Sequence, residues 1–355
     1  MTAQTLAPGT QMAREMAEQP DAVRRTLAAL RPQRADVAHL FEGRSRVLLV
    51  ARGSSDNAAV YGSYLLETRV GIVAGLASAS VATHYAASLD LSDTLVVSVS
   101  QSGSTAEIVE TQAWARACGA ATVAITNVAG SPLACDADVA LVTQAGPELA
   151  VPATKTYVGQ LVAMAVLATA LAPDPAILDA DLDRVADEIE RLLAARAGVG
   201  DAVEALQAAS YAVVAGRGLM LGTALETALK LEETCLRPVR GYSYADLRHG
   251  PISVVTSGTA AVLVAAPDGP LAGAMVDLAL DLRERGAVVV GIGGSAAFPT
   301  ACDVHVAGPD LPEAVAPLAT VVAAQLVVEE LAQALGLDPD APRGLSKVTS
   351  TDRDS

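Results

Sequence analysis

Glu226, Lys230 and Glu233 fall within one stretch, ALETALKLEET, and His249 follows sixteen residues after the last of them, in the turn LRHGP. Spaced four and three apart, two carboxylates and an ammonium share one face of a helix. A chain with only four histidines has few groups that exchange protons near neutral pH. A Glu/Lys helix followed by a His-Gly-Pro turn therefore points to general acid–base chemistry. Glu233 has the better claim to be a base, because it ends the helix, where the dipole disfavours a carboxylate. Glu226 also has an ordinary explanation: Thr223 three residues earlier fits a capping box, and Glu226–Lys230 fits a favourable surface pair. His249 stands on a turn rather than an apolar helix face, whereas His39, His84 and His305 read as structural or surface residues.

A second set of residues suits an anion. In SVSQSGSTAEIVE an apolar strand feeds a Ser/Gly turn and then a helix whose first turn holds Thr105, Ala106 and Glu107. Such a turn aims unpaired backbone N–H groups at one spot, and the hydroxyls of Ser100, Ser102 and Thr105 with the amide of Gln101 converge there. A phosphate can be held this way by neutral donors and the helix dipole, without lysine. The same residues also make an ordinary helix start. The turn ARGSSDNAAV repeats the strand-to-helix pattern with Ser54 and Ser55. In an open parallel sheet such loops meet outside the carboxyl ends of the strands. A third loop, GPELAVPATKTY, carries Val151, Thr154 and Lys155 ahead of an apolar helix, with Lys155 reading as a solvated surface charge. Neither G-x-x-x-x-G-K-[ST] nor G-x-G-x-x-G occurs, which argues against a nucleotide-hydrolysing P-loop and a dinucleotide fingerprint.

The elements that position these loops come from a repeat. VLLVARG ending at Gly53 resembles AVVAGRG ending at Gly218; ARACGAATVAIT around Gly119 resembles LRERGAVVVGIG around Gly286; DADVALV at Asp138 echoes CDVHVAG at Asp303. Two copies of a βαβ-rich unit follow. Strands are expected near Val47–Ala51, Thr94–Ser100, Thr122–Thr126 and Val139–Thr143, with helices between. Met12–Leu30 and Ala35–Phe41 read as helices interrupted by Pro20 and Pro32. The charged stretch 176–208 reads as a helix linking the copies, and the run beyond Gly336 as a tail carrying Lys347. The expected divisions are 1–44 (N-terminal helices), 45–175 and 209–340 (the two repeats), 176–208 (linker) and 341–355 (tail).

Composition agrees with an α/β fold of mainly parallel sheets. Of 355 residues 52% are hydrophobic but only 3% aromatic, so the interior is built from Ala, Val and Leu, which suits strands covered by helices. A formal charge of −16 opposes broad attraction to nucleic acid or anionic lipid. Cys118, Cys135, Cys235 and Cys302 show no C-x-x-C spacing and read as reduced core thiols, with no metal expected. The N-terminus lacks a charged-then-apolar leader, and the longest apolar run, Leu161 to Ala172, falls short of the roughly 20 residues of a membrane span, so a cytoplasmic location is expected.

Taken together, SQSGST, ARGSSD, GPELAVPATK, ALETALKLEET, LRHGP, the terminal PRGLSK and REMAEQP near the start resemble the double sugar-isomerase (SIS) architecture. That architecture is found in the isomerase half of glutamine:fructose-6-phosphate amidotransferase and in type II glucosamine-6-phosphate deaminases. The resemblance implies two flavodoxin-like SIS domains, with Ser55, Ser100, Gln101, Ser102 and Thr105 on a sugar phosphate and Ser54, Val151 and Thr154 lining the site. It implies that Glu233 shuttles a proton between C1 and C2 beside Lys230, that His249 opens the sugar ring across a homodimer interface, and that Lys347 closes over the substrate on a lid. The implied partner is a small phosphosugar, with no cofactor. No glutaminase half or N-terminal cysteine nucleophile is found, so deamination of glucosamine 6-phosphate is expected over glutamine-dependent synthesis. Where relatives carry a His-Ala-Glu-Ala segment this chain reads LRPVRGYSYAD, and Ala153 stands where synthases tend to carry serine. Arg237 and Arg240 are either structural or readers of an acidic substituent, as a fructosamine-phosphate deglycase would need. A plain isomerase and a non-catalytic phosphosugar sensor are the further alternatives; a sensor would not need Glu233, His249 and Lys347.

Overall fold

The computed structural model describes residues 10–347. The expectations for 1–9 and 348–355, the outer parts of the leading segment and of the tail, lie outside the described residues. Three helices come first: α1 (Gln11–Ala17), α2 (Gln19–Leu30) and α3 (Arg34–Phe41). The Thr10 hydroxyl caps α1 by accepting from the Ala13 N–H at 3.0 Å. Pro20 sits in the first turn of α2, where a missing N–H leaves no bond unmade.

The first sheet is built from β1 (Arg46–Val50), β2 (Val73–Leu76), β3 (Thr94–Val99), β4 (Ala121–Thr126) and β5 (Val139–Val142). Between and after them run α4 (Ser54–Leu65), α5 (Ser80–Thr83), α6 (Ala106–Ala117), α7 (Pro132–Asp136) and α8 (Lys155–Leu171). Helices α9 (Ala176–Ala195) and α10 (Val199–Ala208) lead to the second sheet, of β6 (Tyr211–Gly216), β7 (Val239–Ser243), β8 (Thr259–Ala265), β9 (Val288–Gly293) and β10 (Val304–Val306). Its helices are α11 (Leu221–Cys235), α12 (Tyr244–Arg248), α13 (Ala272–Glu284), α14 (Phe298–Ala301) and α15 (Ala316–Ala334). The fold is α/β, as predicted.

All strand pairs are parallel, and both sheets run in one spatial order: β2-β1-β3-β4-β5 and β7-β6-β8-β9-β10. The repeat read from the sequence is thus a repeat of topology. Strands β3, β4 and β8 are buried along their whole length, which explains why they read as continuous apolar runs. In each sheet the order reverses beside the first strand, between β1 and β3 and between β6 and β8. That reversal opens a crevice at the carboxyl ends, the place where such sheets hold ligands.

The expected single linker helix over 176–208 is two helices. Arg196 (φ 47°) and Gly198 (φ 81°) adopt left-handed backbone between them, which ends α9 and restarts the chain at Val199. Both helices also pack on α15, so the segment belongs to the structure it joins.

One buried apolar cluster runs through both halves, joining Leu49 and Val97 of the first sheet to Val214 and Val290 of the second through Met164 and Leu326. The halves meet at α4 and α11. A Cβ on Gly222 would stand 2.5 Å from the Asn57 carbonyl oxygen and 3.3 Å from the Tyr61 nitrogen. Only the absence of a side chain lets the two helices approach this closely. The contact carries residues of α11 to the mouth of the first sheet.

Candidate active site

The crevice between β1 and β3 opens into a cavity of about 350 Å³, ample for a six-carbon sugar phosphate. Its first wall comes from the loops after those strands. Ser54, Ser55, Ser100, Gln101, Ser102 and Thr105 all line it. Thr105 is the residue before α6 rather than part of its first turn, so the turn from Ser100 to Thr105 faces the unpaired N–H groups of that helix. Gly103 makes the turn possible with φ 62°, and a Cβ there would collide with Ser131 and Thr126. The Ser100 hydroxyl lies 3.2 Å from that of Thr105 and accepts from the Gly103 N–H. Gln160 of α8, buried, donates to the Ser55 hydroxyl at 3.0 Å, which leaves the Ser55 proton free to point at a ligand.

The second wall comes from the other half of the chain. Lys230 and Glu233 of α11 line the same cavity as the hydroxyl cradle. Lys230 is 2% exposed and its ammonium donates to Glu233 at 2.6 Å and to Ser54 at 3.0 Å, with Glu226 at 3.3 Å. Burial alone would lower the lysine, but the two carboxylates outweigh it and hold its pKa above the ordinary value. Glu226 is pushed up by burial, against the pull of Lys230 and of the hydrogen bond from Asn57 at 2.8 Å. Glu233 remains partly open to the cavity, its side chain 26% exposed. Its carboxylate is therefore placed to exchange a proton with a ligand while Lys230 holds its orientation.

The structure corrects four expectations. Glu226 is neither a capping residue nor a surface partner: it lies within α11, fully buried against Asn57 of α4, and Thr223 is buried beside it. Helical spacing placed it correctly with Lys230, but not on the face that the other half covers. Lys155 is 1% exposed and donates to the half-exposed Glu18 at 2.6 Å, so it is a buried ammonium tied to a surface carboxylate and not a solvated charge. Thr154 is fully buried and does not line the cavity; its N–H donates to Glu148 at 2.9 Å. Of the four free cysteines, Cys235 and Cys302 are buried as expected, whereas Cys118 is half-buried and Cys135 exposed.

Glu148, missed in the sequence, closes the cavity from the third loop. Its carboxylate is buried and accepts from the N–H groups of Thr154 and Thr156, capping the start of α8. The Lys347 ammonium donates to it at 2.8 Å and to the Ala150 carbonyl at 2.7 Å, while Val151, Ala153, Leu345 and Lys347 complete the lining. Burial would raise Glu148; the Lys347 charge and the hydrogen bonds from Thr156 and Thr154 win and hold its carboxyl below the usual value. The spacing of 165 residues that relates the two repeats also relates Glu148 to Glu313, a buried carboxylate just before α15, and that signal was available. Arg52, also missed, lines the cavity beside Gly53.

His249 is exposed after α12 and does not line this cavity. Arg237 donates to the carbonyls of Ala209 and Gln207 at the end of α10, and Arg240 lies over the Tyr242 ring at 5.3 Å; neither lines the cavity. Among the described residues no cluster of His, Cys, Asp or Glu could hold a metal ion, and no helix is long and apolar enough to cross a membrane.

With this geometry in hand, comparison with known proteins is specific. The SIS domain model matches residues 39–170. The chain is 34% identical over 344 residues to a glutamine–fructose-6-phosphate aminotransferase (isomerizing) of Methanothermobacter thermautotrophicus, a match covering 96% of this chain and 57% of the relative. It thus spans a little over half the length of that curated relative. A crystal structure from Silicibacter pomeroyi, of a protein provisionally described as a phosphosugar isomerase, is 35% identical with a TM-score of 0.84, over 93% of this chain and all of that one. The C-terminal domain of glucosamine-fructose-6-phosphate aminotransferase from Francisella tularensis is 25% identical, TM-score 0.83, over 96% of this chain and all of that domain.

Proposed function

We propose, from the premise that this chain belongs to the SIS-domain phosphosugar isomerase family, that its cavity binds an amino-sugar 6-phosphate and releases ammonia from it, turning glucosamine 6-phosphate into fructose 6-phosphate. The observation that carries this reading is the shared cavity: the hydroxyl cradle after β3 and the Lys230–Glu233 pair of α11 line one space of about 350 Å³. One end offers neutral donors to a phosphate. At the other, Lys230 faces Glu226 and Glu233, formally one negative charge in excess, which suits a sugar bearing an ammonium at C2.

In this reading Ser55, Ser100, Gln101, Ser102 and Thr105 hold the phosphate. Glu233 takes the proton from C2 of the open-chain aldehyde, the electrons passing to the C1 carbonyl, whose oxygen takes up the proton that the C2 ammonium gives up, so that an enolamine forms. Returning the proton to C1 gives an imine at C2, and water hydrolyses it to the ketose with loss of ammonia. Lys230 keeps Glu233 aimed, and Lys347, on the tail, covers the substrate. The second half, whose sheet repeats the strand order of the first, is read as a second SIS unit. The deglycase alternative loses its support with Arg237 and Arg240 outside the cavity.

Supplying glucosamine 6-phosphate to the full chain and following ammonia is the direct test. Turnover that inorganic phosphate inhibits competitively is expected. Interconversion of hexose phosphates without ammonia would replace the reading by a plain isomerase, and binding with no turnover at all by a sensor. His249 is read as serving the site of a second copy, since it is exposed and away from its own cavity. Mixing inactive His249→Ala and Glu233→Gln chains, under conditions that exchange subunits, is then expected to restore up to about a quarter of the wild-type activity, since statistically half the dimers are mixed and each has one intact site. No recovery in a mixture shown to contain mixed dimers would rule the shared site out.

A further inference from the structure

We propose that Arg52 is a further substrate-binding residue, a guanidinium held in reserve by Glu107 that turns onto the phosphate when the sugar arrives. The proposal rests on the phosphosugar reading above and names a group that reading does not use. Arg52 stands two residues after the end of β1 and lines the same cavity as Ser100, Ser102 and Thr105. Two of its nitrogens meet Glu107 as a fork, Nε to Oε2 at 3.0 Å and Nη2 to Oε1 at 2.8 Å, while Nη1 donates to the Ala51 carbonyl at 3.0 Å. Glu107 stands in the first turn of α6, two residues after Thr105. Its side chain is 9% exposed. The guanidinium is thereby parked beside the helix start whose N–H groups the cradle presents.

Among the described residues three cations line the cavity, and they differ in how they are held. Lys230 is fixed by a fully buried Glu226, and Lys347 by a fully buried Glu148. Arg52 is 41% exposed and can change partners without taking a charge out of water. A phosphate dianion in the cradle repels Glu107 and offers the same fork two charges where the carboxylate offers one. Asp56, in the first turn of α4, is a second acid whose carboxyl feels the charge of Arg52, although burial outweighs that pull and raises it. In a chain of charge −16, a cradle of neutral donors gains from Arg52 the attraction that it lacks beyond contact range.

Titration of the full chain with inorganic phosphate, by calorimetry at two ionic strengths, tests this. Arg52→Ala is expected to weaken phosphate binding about tenfold or more, the scale of a lost hydrogen bond to a charged group, and to flatten its dependence on salt. Arg52→Lys, which keeps the charge without the fork, should fall between. Glu107→Gln should tighten binding several-fold by removing the competitor. Two results overturn the proposal while leaving the phosphosugar site standing: Arg52→Ala binding like wild type where Ser102→Ala binds worse, or Glu107→Gln losing as much as Arg52→Ala. A wild-type chain that binds neither inorganic phosphate nor a hexose 6-phosphate overturns the phosphosugar reading itself.

Discussion

Glu233→Gln is expected to lower kcat for ammonia release by about 10² to 10⁴-fold, the usual contribution of a positioned general base, with little change in KM. The amide has the shape of the carboxylate, so its oxygen can still accept from Lys230 at the 2.6 Å contact. It cannot accept the proton from carbon. The phosphate cradle lies on other loops and is untouched, which is why the loss should fall on kcat. Exchange of the C2 hydrogen with deuterated solvent should disappear together with turnover. A variant that retains activity within threefold of wild type would remove Glu233 from the chemistry and with it the mechanism.

Lys230→Met is expected to cost about 3 to 5 kcal/mol in denaturant unfolding, because it leaves Glu226 buried without its cation. Glu226 is fully buried and Lys230 only 2% exposed, so solvent cannot compensate. The pH dependence has a definite sign. Burial raises Glu226 in the folded chain, and without Lys230 it rises further. A raised carboxyl contributes its stability below its unfolded value and loses it as pH climbs through the folded one. The deficit of Lys230→Met should therefore be smallest near pH 4.5 and grow toward neutrality. Adding Glu226→Gln should recover part of it. A loss below about 1 kcal/mol at neutral pH would mean that the lysine is not what keeps the α4–α11 interface together.

The cradle was legible in the sequence because each of its parts is local: an apolar strand, a Ser/Gly turn and a helix start occupy consecutive residues from Thr94 to Ala117. The repeat was legible because strand ends fall at fixed spacing. What the sequence concealed depends on which faces meet. Glu226 and Lys155 read as surface charges, since helical periodicity says which residues share a face but not that α4 or α2 covers it. Strands β2 and β7 carry VAGL and VRGYS, glycine-bearing outer strands with too little apolar pattern to stand out. Glu148 and Arg52 sit in loops, where role follows from the far partner, Lys347 in one case and Glu107 in the other.

At Gly222 the two halves touch backbone to backbone, with no side chain to act as a bearing. Rotation that pressed one half further onto the other would drive these helices into collision, which opposes closure by a hinge at this contact. In the proposed reading a sugar is then admitted and released by unlatching the segment around Lys347, which holds Glu148 and the Ala150 carbonyl through two hydrogen bonds. On that reading the pace of opening falls to the segment around Lys347, while the walls built from the two sheets stay fixed.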